Sequence, residues 1–216
     1  MSTLKNMKRE VAKILLDIKA VTLRPKQPYT YASGIKSPIY CDNRLLISYP
    51  EKREIIVQAL VTALKGKEFD VLAGIATSGI PWCAWLAKEL NKPMIYIRSK
   101  GKEHGNENLI EGRINNRQKV IIVEDLISTG GSSIAAVNAV KEAGGIVNDC
   151  IAIFTYELES AINKFKKVNC NLLTLTDLKT LVEIAAERNY INPEEKSLVL
   201  AWRDNPENWT VKESII

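Results

Sequence analysis

The stretch "VIIVEDLISTGGSS", residues 120–133, decides the fold. It opens with an apolar, β-branched run that is typical of a strand buried on both faces of a parallel sheet. Two acids, Glu124 and Asp125, follow at once, and a run of small and hydroxylated residues then leads into the helical pattern "SIAAVNAVKEAG". A strand, a loop and a helix in this order indicate an α/β protein, and in such proteins ligands bind outside the carboxyl ends of the strands.

Strands and helices alternate on both sides of this stretch. "VLAGIA", "MIYIR" and "IVNDCIAIFTY" have the composition of buried strands, and "IPWCAWLAKEL" has a helical period. We therefore predict a mostly parallel, twisted sheet flanked by helices. One domain accounts for the chain: an N-terminal helix and turn-rich segment over 1–49, the core sheet over 50–156 and a helical C-terminal extension over 157–216. Helices are predicted over 7–20 and over 50–65, where a proline suits the first helical position.

Composition and charge exclude several classes of protein. The chain is 46% hydrophobic and 25% charged, as in ordinary globular proteins, and its net charge of +5 includes no long basic run that would indicate a nucleic-acid partner. The four cysteines form no C-x-x-C pair, which argues against zinc and fits a reducing compartment. No apolar run approaches the roughly 18 residues of a membrane span. We expect a cytoplasmic protein that binds neither nucleic acid nor membrane.

The loop after the two acids has the composition of an anion site. Gly130 and Gly131 can adopt positive φ and turn backbone N–H groups toward one point. The following helix presents its positive N-terminal end, and hydroxyl groups add donors, which together suit a phosphate monoester. These hydroxyls belong to Ser128, Thr129, Ser132 and Ser133. The same residues also fit a plainer interpretation, in which Ser132 is only the helix N-cap and the glycines only form a tight turn.

The two acids favour a sugar phosphate as the ligand. Carboxylates beside a phosphate site are unfavourable unless they serve another part of the ligand. Glu124 and Asp125 can accept hydrogen bonds from sugar hydroxyls and can favour positive charge on a nearby carbon. A phosphorylated pentose offers both features, because its anomeric carbon becomes cationic during glycosyl transfer.

The whole stretch resembles the motif by which type I phosphoribosyltransferases bind 5-phosphoribosyl 1-diphosphate (PRPP). The resemblance implies the type I phosphoribosyltransferase fold, with an N-terminal hood over the site and a C-terminal extension. It also implies Mg²⁺ that is carried by PRPP, with no metal ligands from the protein. The implied PRPP-binding residues are Arg98, Lys102, His104, Glu124, Asp125, Leu126, Ile127, Ser128, Thr129, Gly130, Gly131 and Ser132.

A polar loop, "RSKGKEHG" over residues 98–105, gathers several cations and the chain's one histidine. Such a loop can neutralise and protonate a leaving pyrophosphate, although a plain solvated loop has the same composition. It resembles the mobile catalytic loop of the orotate phosphoribosyltransferase family. The resemblance implies catalytic roles for Lys102, His104 and Asp125. It further implies a homodimer in which loop 98–112 reaches the neighbouring subunit's site.

A second segment, "YASGIKSPIYCDNR" over residues 31–44, is similar to the hood that covers orotate in the same family, and we call these residues the hood. The implied orotate-binding residues are Ser128, Tyr40 and Arg44, the last because a guanidinium binds a carboxylate through two bonds. The sequence of this segment resembles that of the family branch found in Gram-positive bacteria. The implied reaction converts orotate and PRPP to orotidine 5'-monophosphate and pyrophosphate, a step of UMP biosynthesis.

The chain departs from the family pattern at three places. Ala32 and Ser78 stand where many members have lysine, and "FTYELES" lacks an arginine that some members use to contact orotate. Orotate contacts can therefore shift to Arg44, Lys36 or backbone groups. Two other functions stay open: a phosphoribosyltransferase for another base, and a non-catalytic regulator that senses PRPP. A purine enzyme would not need this hood and loop, and a regulator usually carries an added nucleic-acid module.

Overall fold

The computed structural model describes residues 2–31, 34–99 and 109–210, and it begins with helix α1, Ser2–Asp17. Two short antiparallel strand pairs follow. They are β1 (Val21–Leu23) with β4 (Ile39–Cys41), and β2 (Tyr29–Thr30) with β3 (Lys36–Ser37). A 3₁₀ helix, Asn43–Ser48, then leads to helix α2, Pro50–Ala63. Short strands therefore organise the turn-rich segment.

A six-stranded sheet forms the centre of the molecule. Its strands are β5 (Val71–Ile75), β6 (Met94–Ile97), β7 (Ile110–Glu111), β8 (Lys119–Ile127), β9 (Ile146–Thr155) and β10 (Asn171–Asp177). From edge to edge the order is β10-β9-β8-β5-β6-β7, and every neighbouring pair is parallel except β6 with β7. The predicted mostly parallel sheet is confirmed.

Helices cover both faces of this sheet. Alternate residues of β8 point to opposite faces: Ile121 and Val123 join one apolar cluster, and Val120 and Ile122 join the other. The first cluster includes residues of α1 and α2, and the second includes residues of the helices that follow β8 and β9. The remaining helices are α3 (Gly79–Leu90), α4 (Gly131–Glu142), α5 (Glu159–Lys167), α6 (Leu178–Glu187) and α7 (Pro193–Asp204). None of the helices in the described ranges is long and apolar enough to cross a bilayer.

Two sequence predictions need correction. The extension over 157–216 was predicted to be helical, but β10 lies within it and pairs with β9 at the edge of the sheet. Its alternating leucines and threonines favour a strand, and pairing with β9 satisfies its backbone groups. The first helix was predicted over 7–20, whereas α1 ends at Asp17 because Lys19 adopts a left-handed φ of 57°.

The C-terminal helix holds the hood against the sheet. The indole nitrogen of Trp202 in α7 donates to the carbonyl of Lys36 at 3.1 Å. The ring of Trp202 lies edge-on to Tyr156, just beyond β9, with the ring centroids 5.4 Å apart. The Tyr31 hydroxyl donates to the Ile39 carbonyl at 2.8 Å and also contacts the Tyr156 hydroxyl. These contacts fix the hood above the carboxyl ends of the strands.

Candidate active site

A pocket of about 290 Å³ lies at the carboxyl ends of β5 and β8. This is the place where open parallel sheets bind their ligands. Three segments form its walls: the end of the hood, the loop between β5 and α3, and the end of β8 with the loop to α4. The lining residues are Cys41, Asp42, Arg44, Ile75, Ala76, Thr77, Ser78, Glu124, Asp125, Leu126 and Ser132.

The two acids of the decisive stretch interact on the wall from β8, where Glu124 is buried and Asp125 is half-buried. Glu124 is 6% exposed, and one of its carboxylate oxygens accepts the backbone N–H of Asp125 at 3.0 Å. Burial raises the pKa of Glu124 well above its ordinary value, and the neighbouring charge of Asp125 raises it further. Burial also raises the pKa of Asp125. The pair therefore retains a proton more readily than two exposed acids do.

Replacing Glu124 with glutamine should stabilise the protein at alkaline pH. Because the pKa of Glu124 is higher in the folded protein than in the unfolded chain, the folded protein loses stability as pH rises through the folded-state pKa. Below the ordinary pKa of glutamate, Glu124 is protonated in both the folded and the unfolded protein, and its ionisation costs no stability. We expect Glu124→Gln to raise the free energy of unfolding by about 1 to 3 kcal/mol at pH 8, the usual desolvation penalty of one buried polar group, because the amide has no charged form. The gain should vanish near pH 4. Urea unfolding at both pH values measures it, with the exposed Glu207→Gln as control; a gain independent of pH would contradict the assignment.

The loop from β8 to α4 leaves backbone donors available for an anion. Gly130 has a φ of 74° and occupies the N-cap position, and no side chain among the described residues caps α4. The interpretation of Ser132 as an N-cap is therefore wrong, and Ser132 lines the pocket instead. The Lys164 ammonium group of α5 donates a hydrogen bond of 3.0 Å to the carbonyl of Thr129 and so stabilises the loop. Free N–H groups at a helix start suit a phosphate.

The loop between β5 and α3 forms the third wall. Its Ala76–Thr77 peptide bond is cis, and the next residue, Ser78, comes directly before α3. Helix α3 begins very close to β8, because a Cβ at Gly79 would lie 2.5 Å from the carbonyl oxygen of Val123. Only glycine fits at this contact. The positive end of a second helix therefore borders the pocket beside the acid pair.

The hood contributes a fixed cation to the pocket. The Arg44 guanidinium forms two bonds with Asp42, at 2.6 and 2.9 Å. The hydrogen bonds from Arg44 hold the pKa of Asp42 below its usual value. The Arg44 side chain is 63% exposed and borders the pocket, so its outer face is open to an anionic ligand. An acidic wall and a cationic wall thus face the same space.

Residues 47–171 match the family model described as "Phosphoribosyl transferase domain". A protein from Coxiella burnetii named orotate phosphoribosyltransferase is 52% identical over 206 residues, which are 94% of this chain and 99% of that protein. The chain belongs to the orotate phosphoribosyltransferase family. An orotate phosphoribosyltransferase from Enterococcus faecalis is 50% identical over 93% of this chain and 97% of its own length.

Solved structures agree with this family assignment. The crystal structure of orotate phosphoribosyltransferase from Aeropyrum pernix is 26% identical in sequence, with a TM-score of 0.74. The alignment covers 84% of this chain and 99% of that one. The fold predicted from the decisive stretch, a type I phosphoribosyltransferase fold, is thereby confirmed.

Some of the predicted site residues line the pocket, and others lie in the core or in the adjoining turn. Of the predicted PRPP-binding set, Glu124, Asp125, Leu126 and Ser132 line the pocket. Ile127 is fully buried in the core below it, so only its backbone is available. The remaining members of the phosphate loop form the turn into α4 beside the pocket; they are Ser128, Thr129, Gly130 and Gly131.

The cationic loop is described only at its ends. Arg98 follows β6, and its guanidinium lies 3.5 Å from the carboxylate of Glu111 in β7. It does not line the pocket. Lys102 and His104 lie outside the described residues, so their assigned roles stay predictions. Of the proposed orotate contacts, Arg44 lines the pocket, whereas the half-exposed ring of Tyr40 lies beside Tyr29, with centroids 5.5 Å apart.

Asp42 and Asn43 were not predicted as site residues. Asp42 and Thr77 line the pocket, and Asn43 is buried directly behind the hood wall. Asp42 had a local signal, since an aspartate two residues before an arginine can pair with it. Asn43 had none, because its partner lies 82 residues away in the sequence.

Proposed function

We propose that this chain transfers the 5-phosphoribosyl group of PRPP to orotate. A ring N–H of orotate loses its proton as the nitrogen forms a bond to the anomeric carbon. The bond from that carbon to pyrophosphate breaks with its electron pair remaining on the pyrophosphate oxygen, which takes up the proton, and the products are orotidine 5'-monophosphate and pyrophosphate. The single observation that carries the proposal is the pocket that combines an acid pair with the uncapped start of α4. Identity of 52% over nearly the whole length of an orotate phosphoribosyltransferase supports the choice of base.

Each wall has a role in this proposal. The backbone of the loop over 128–132 holds the 5'-phosphate, and α4 directs its positive end at it. Glu124 and Asp125 accept hydrogen bonds from the ribose hydroxyls and favour the cationic anomeric carbon. Pyrophosphate lies against the loop between β5 and α3, where Thr77 and Ser78 offer hydroxyl donors. Lys102, with Arg98 and His104, stabilises the charge that develops on the leaving pyrophosphate.

The base lies under the hood in the same scheme. Orotate carries a carboxylate, and Arg44 is the cation of the hood that borders the pocket. Asp42 already occupies one edge of the guanidinium, so Arg44 is held in one orientation and offers its remaining N–H groups to the ligand. Such preorganisation lowers the entropic cost of binding. Tyr40 and the backbone of Ser128 complete the proposed orotate contacts.

The metal, the assembly and the location belong to the same proposal. Mg²⁺ suits a site built largely from substrate oxygens and water, because it dehydrates reluctantly and binds few protein carboxylates. PRPP would hold the ion through its own oxygens, with the acid pair nearby. The ion would neutralise charge on the departing pyrophosphate. We further propose a cytoplasmic homodimer in which loop 98–112 serves the partner's pocket.

The substrates can be tested directly. The protein is mixed with PRPP and Mg²⁺ and with orotate, uracil, hypoxanthine or adenine, and loss of the free base is followed by absorbance. We expect turnover with orotate at least about 100-fold faster than with the other bases, because a site that pairs a buried or fixed charge with a substrate group rejects analogues lacking that group. Turnover of a purine instead would show another base specificity. Binding of PRPP with no base consumed would favour the regulator.

A further inference from the structure

The pocket has two walls that come from distant parts of the chain. One is the end of the hood, with Asp42 and Arg44, and the other is the end of β8, with Glu124 and Asp125. In the proposed function the first wall holds the base and the second holds the ribose. The reaction requires the base nitrogen and the anomeric carbon to approach in line, so the separation of these walls must be set accurately.

Asn43 joins the two walls. It lies at the start of the 3₁₀ helix, and only 1% of it is exposed. Its side-chain nitrogen donates to the backbone carbonyl of Asp125 at 2.8 Å. The Cys41 thiol donates to its side-chain oxygen at 3.4 Å. Both ends of the amide are therefore engaged, and the opposite orientation would place its oxygen against the carbonyl of Asp125.

A buried amide with these partners is a stiff connection. Leaving a buried amide or carbonyl unpaired costs more than an ordinary hydrogen bond contributes, so the contact persists as the surroundings move. The bonded atom belongs to the backbone of Asp125, and its neighbours on either side, Glu124 and Leu126, line the pocket. The two sequence neighbours of Asn43, Asp42 and Arg44, also line the pocket. A shift of either wall is thus transmitted through one side chain.

We infer that Asn43 is a positioning residue that couples the base subsite to the sugar-phosphate subsite. Asn43 holds the backbone of Asp125. When a sugar phosphate binds to the β8 wall, Asn43 therefore also fixes the hood wall, where the base binds. This inference rests on the proposed function. It assigns Asn43 no contact with substrate and no part in proton transfer.

The test measures coupling as well as turnover. Orotate is titrated calorimetrically into the protein, with and without saturating ribose 5-phosphate, and the ratio of the two Kd values is the coupling. In the native protein we expect ribose 5-phosphate to tighten orotate binding by about 5- to 50-fold, which is an ordinary range for coupled sites. In Asn43→Ala and Asn43→Ser the ratio should fall below about twofold, and the KM for orotate should rise about tenfold with a smaller change in kcat.

A charge variant sharpens the test, and a matched change controls for it. Asn43→Asp keeps the shape of the side chain but sets a carboxylate oxygen against the Asp125 carbonyl, so it should lose coupling at least as fully as Asn43→Ala. Asn138→Asp makes the same chemical change on the exposed face of α4 and should keep native coupling. Thermal unfolding is recorded for each variant, and Asn43→Ser serves if Asn43→Ala does not fold.

The outcomes separate the inference from the function beneath it. A native protein that neither binds nor consumes orotate sinks the proposed function. A native protein that transfers to orotate, together with Asn43 variants that keep native coupling and KM, overturns the inference alone. Absence of coupling in the native protein overturns it as well. The inference also fails if kcat of the variants falls in parallel with their melting temperature while the ratio of Kd values stays native. That pattern would indicate a purely structural role for Asn43.

Discussion

Asp125→Asn should lower kcat by about 100- to 1,000-fold. The change keeps the shape of the side chain but removes the charge that the proposed mechanism places beside the anomeric carbon. Loss of one preorganised group that stabilises transition-state charge typically costs two to three orders of magnitude, or about 3 to 4 kcal/mol. The backbone carbonyl that accepts the bond from Asn43 is retained, so the pocket should keep its form.

Kinetics with orotate and PRPP as substrates measure this effect. Asp204→Asn provides the matched control, because its carboxylate is 64% exposed on α7 and pairs with the adjacent Arg203. Thermal unfolding should show Asp125→Asn at least as stable as the native protein, because the pair then carries less charge. If Asp125→Asn kept more than about a tenth of native kcat, the role assigned to this acid would be wrong.

Lys102→Ala should lower kcat to a similar extent, by about 100-fold or more, while PRPP binding changes only a few-fold. The reason is that the lysine charge is proposed to act mainly on the leaving pyrophosphate, where charge develops only as the bond breaks. Single-turnover kinetics and PRPP titration separate the two quantities. Lys166→Ala, on an exposed part of α5, is the control. A loss of PRPP affinity with kcat unchanged would instead assign Lys102 to ground-state binding.

The same variant tests whether the loop serves the partner subunit. Lys102→Ala and Asp125→Asn subunits are mixed under conditions that exchange subunits. If the loop crosses the interface, each mixed dimer contains one pocket with both native residues, and about a quarter of native activity should return, since half of the dimers are mixed. No recovery, with exchange verified by mass spectrometry, would show that the loop acts within its own subunit.

The decisive stretch predicted its own structure well because its signals are local. The apolar run forms β8, the glycines form the turn, and α4 begins directly after Gly130. The acid pair and Ser132 also line the pocket, because the carboxyl end of a parallel strand is a predictable place for ligands. The fold and the position of the pocket within it could therefore be predicted from one segment.

Features that depend on tertiary contacts were less accessible. Strand β10 was missed because its alternating pattern is short and borders polar residues, so its pairing with β9 decided its conformation. The pairing of Arg98 with Glu111 had no signal, since β7 was itself not predicted. The bond from Asn43 to Asp125 joins residues 82 positions apart, and no local rule indicates such a partner.

The contact between Trp202 and Lys36 has a consequence for biosynthesis. Lys36 is synthesised 166 residues before Trp202, to which it is hydrogen-bonded. Helix α1 is likewise synthesised long before α6, although Arg9 of α1 pairs with Glu187 of α6. The nascent chain can therefore assemble β5, β6 and β8 while the hood is not yet held in place. Such non-local contacts form late and slowly. Substrate specificity should thus be acquired only when synthesis has passed α7, after most of the catalytic scaffold is in place.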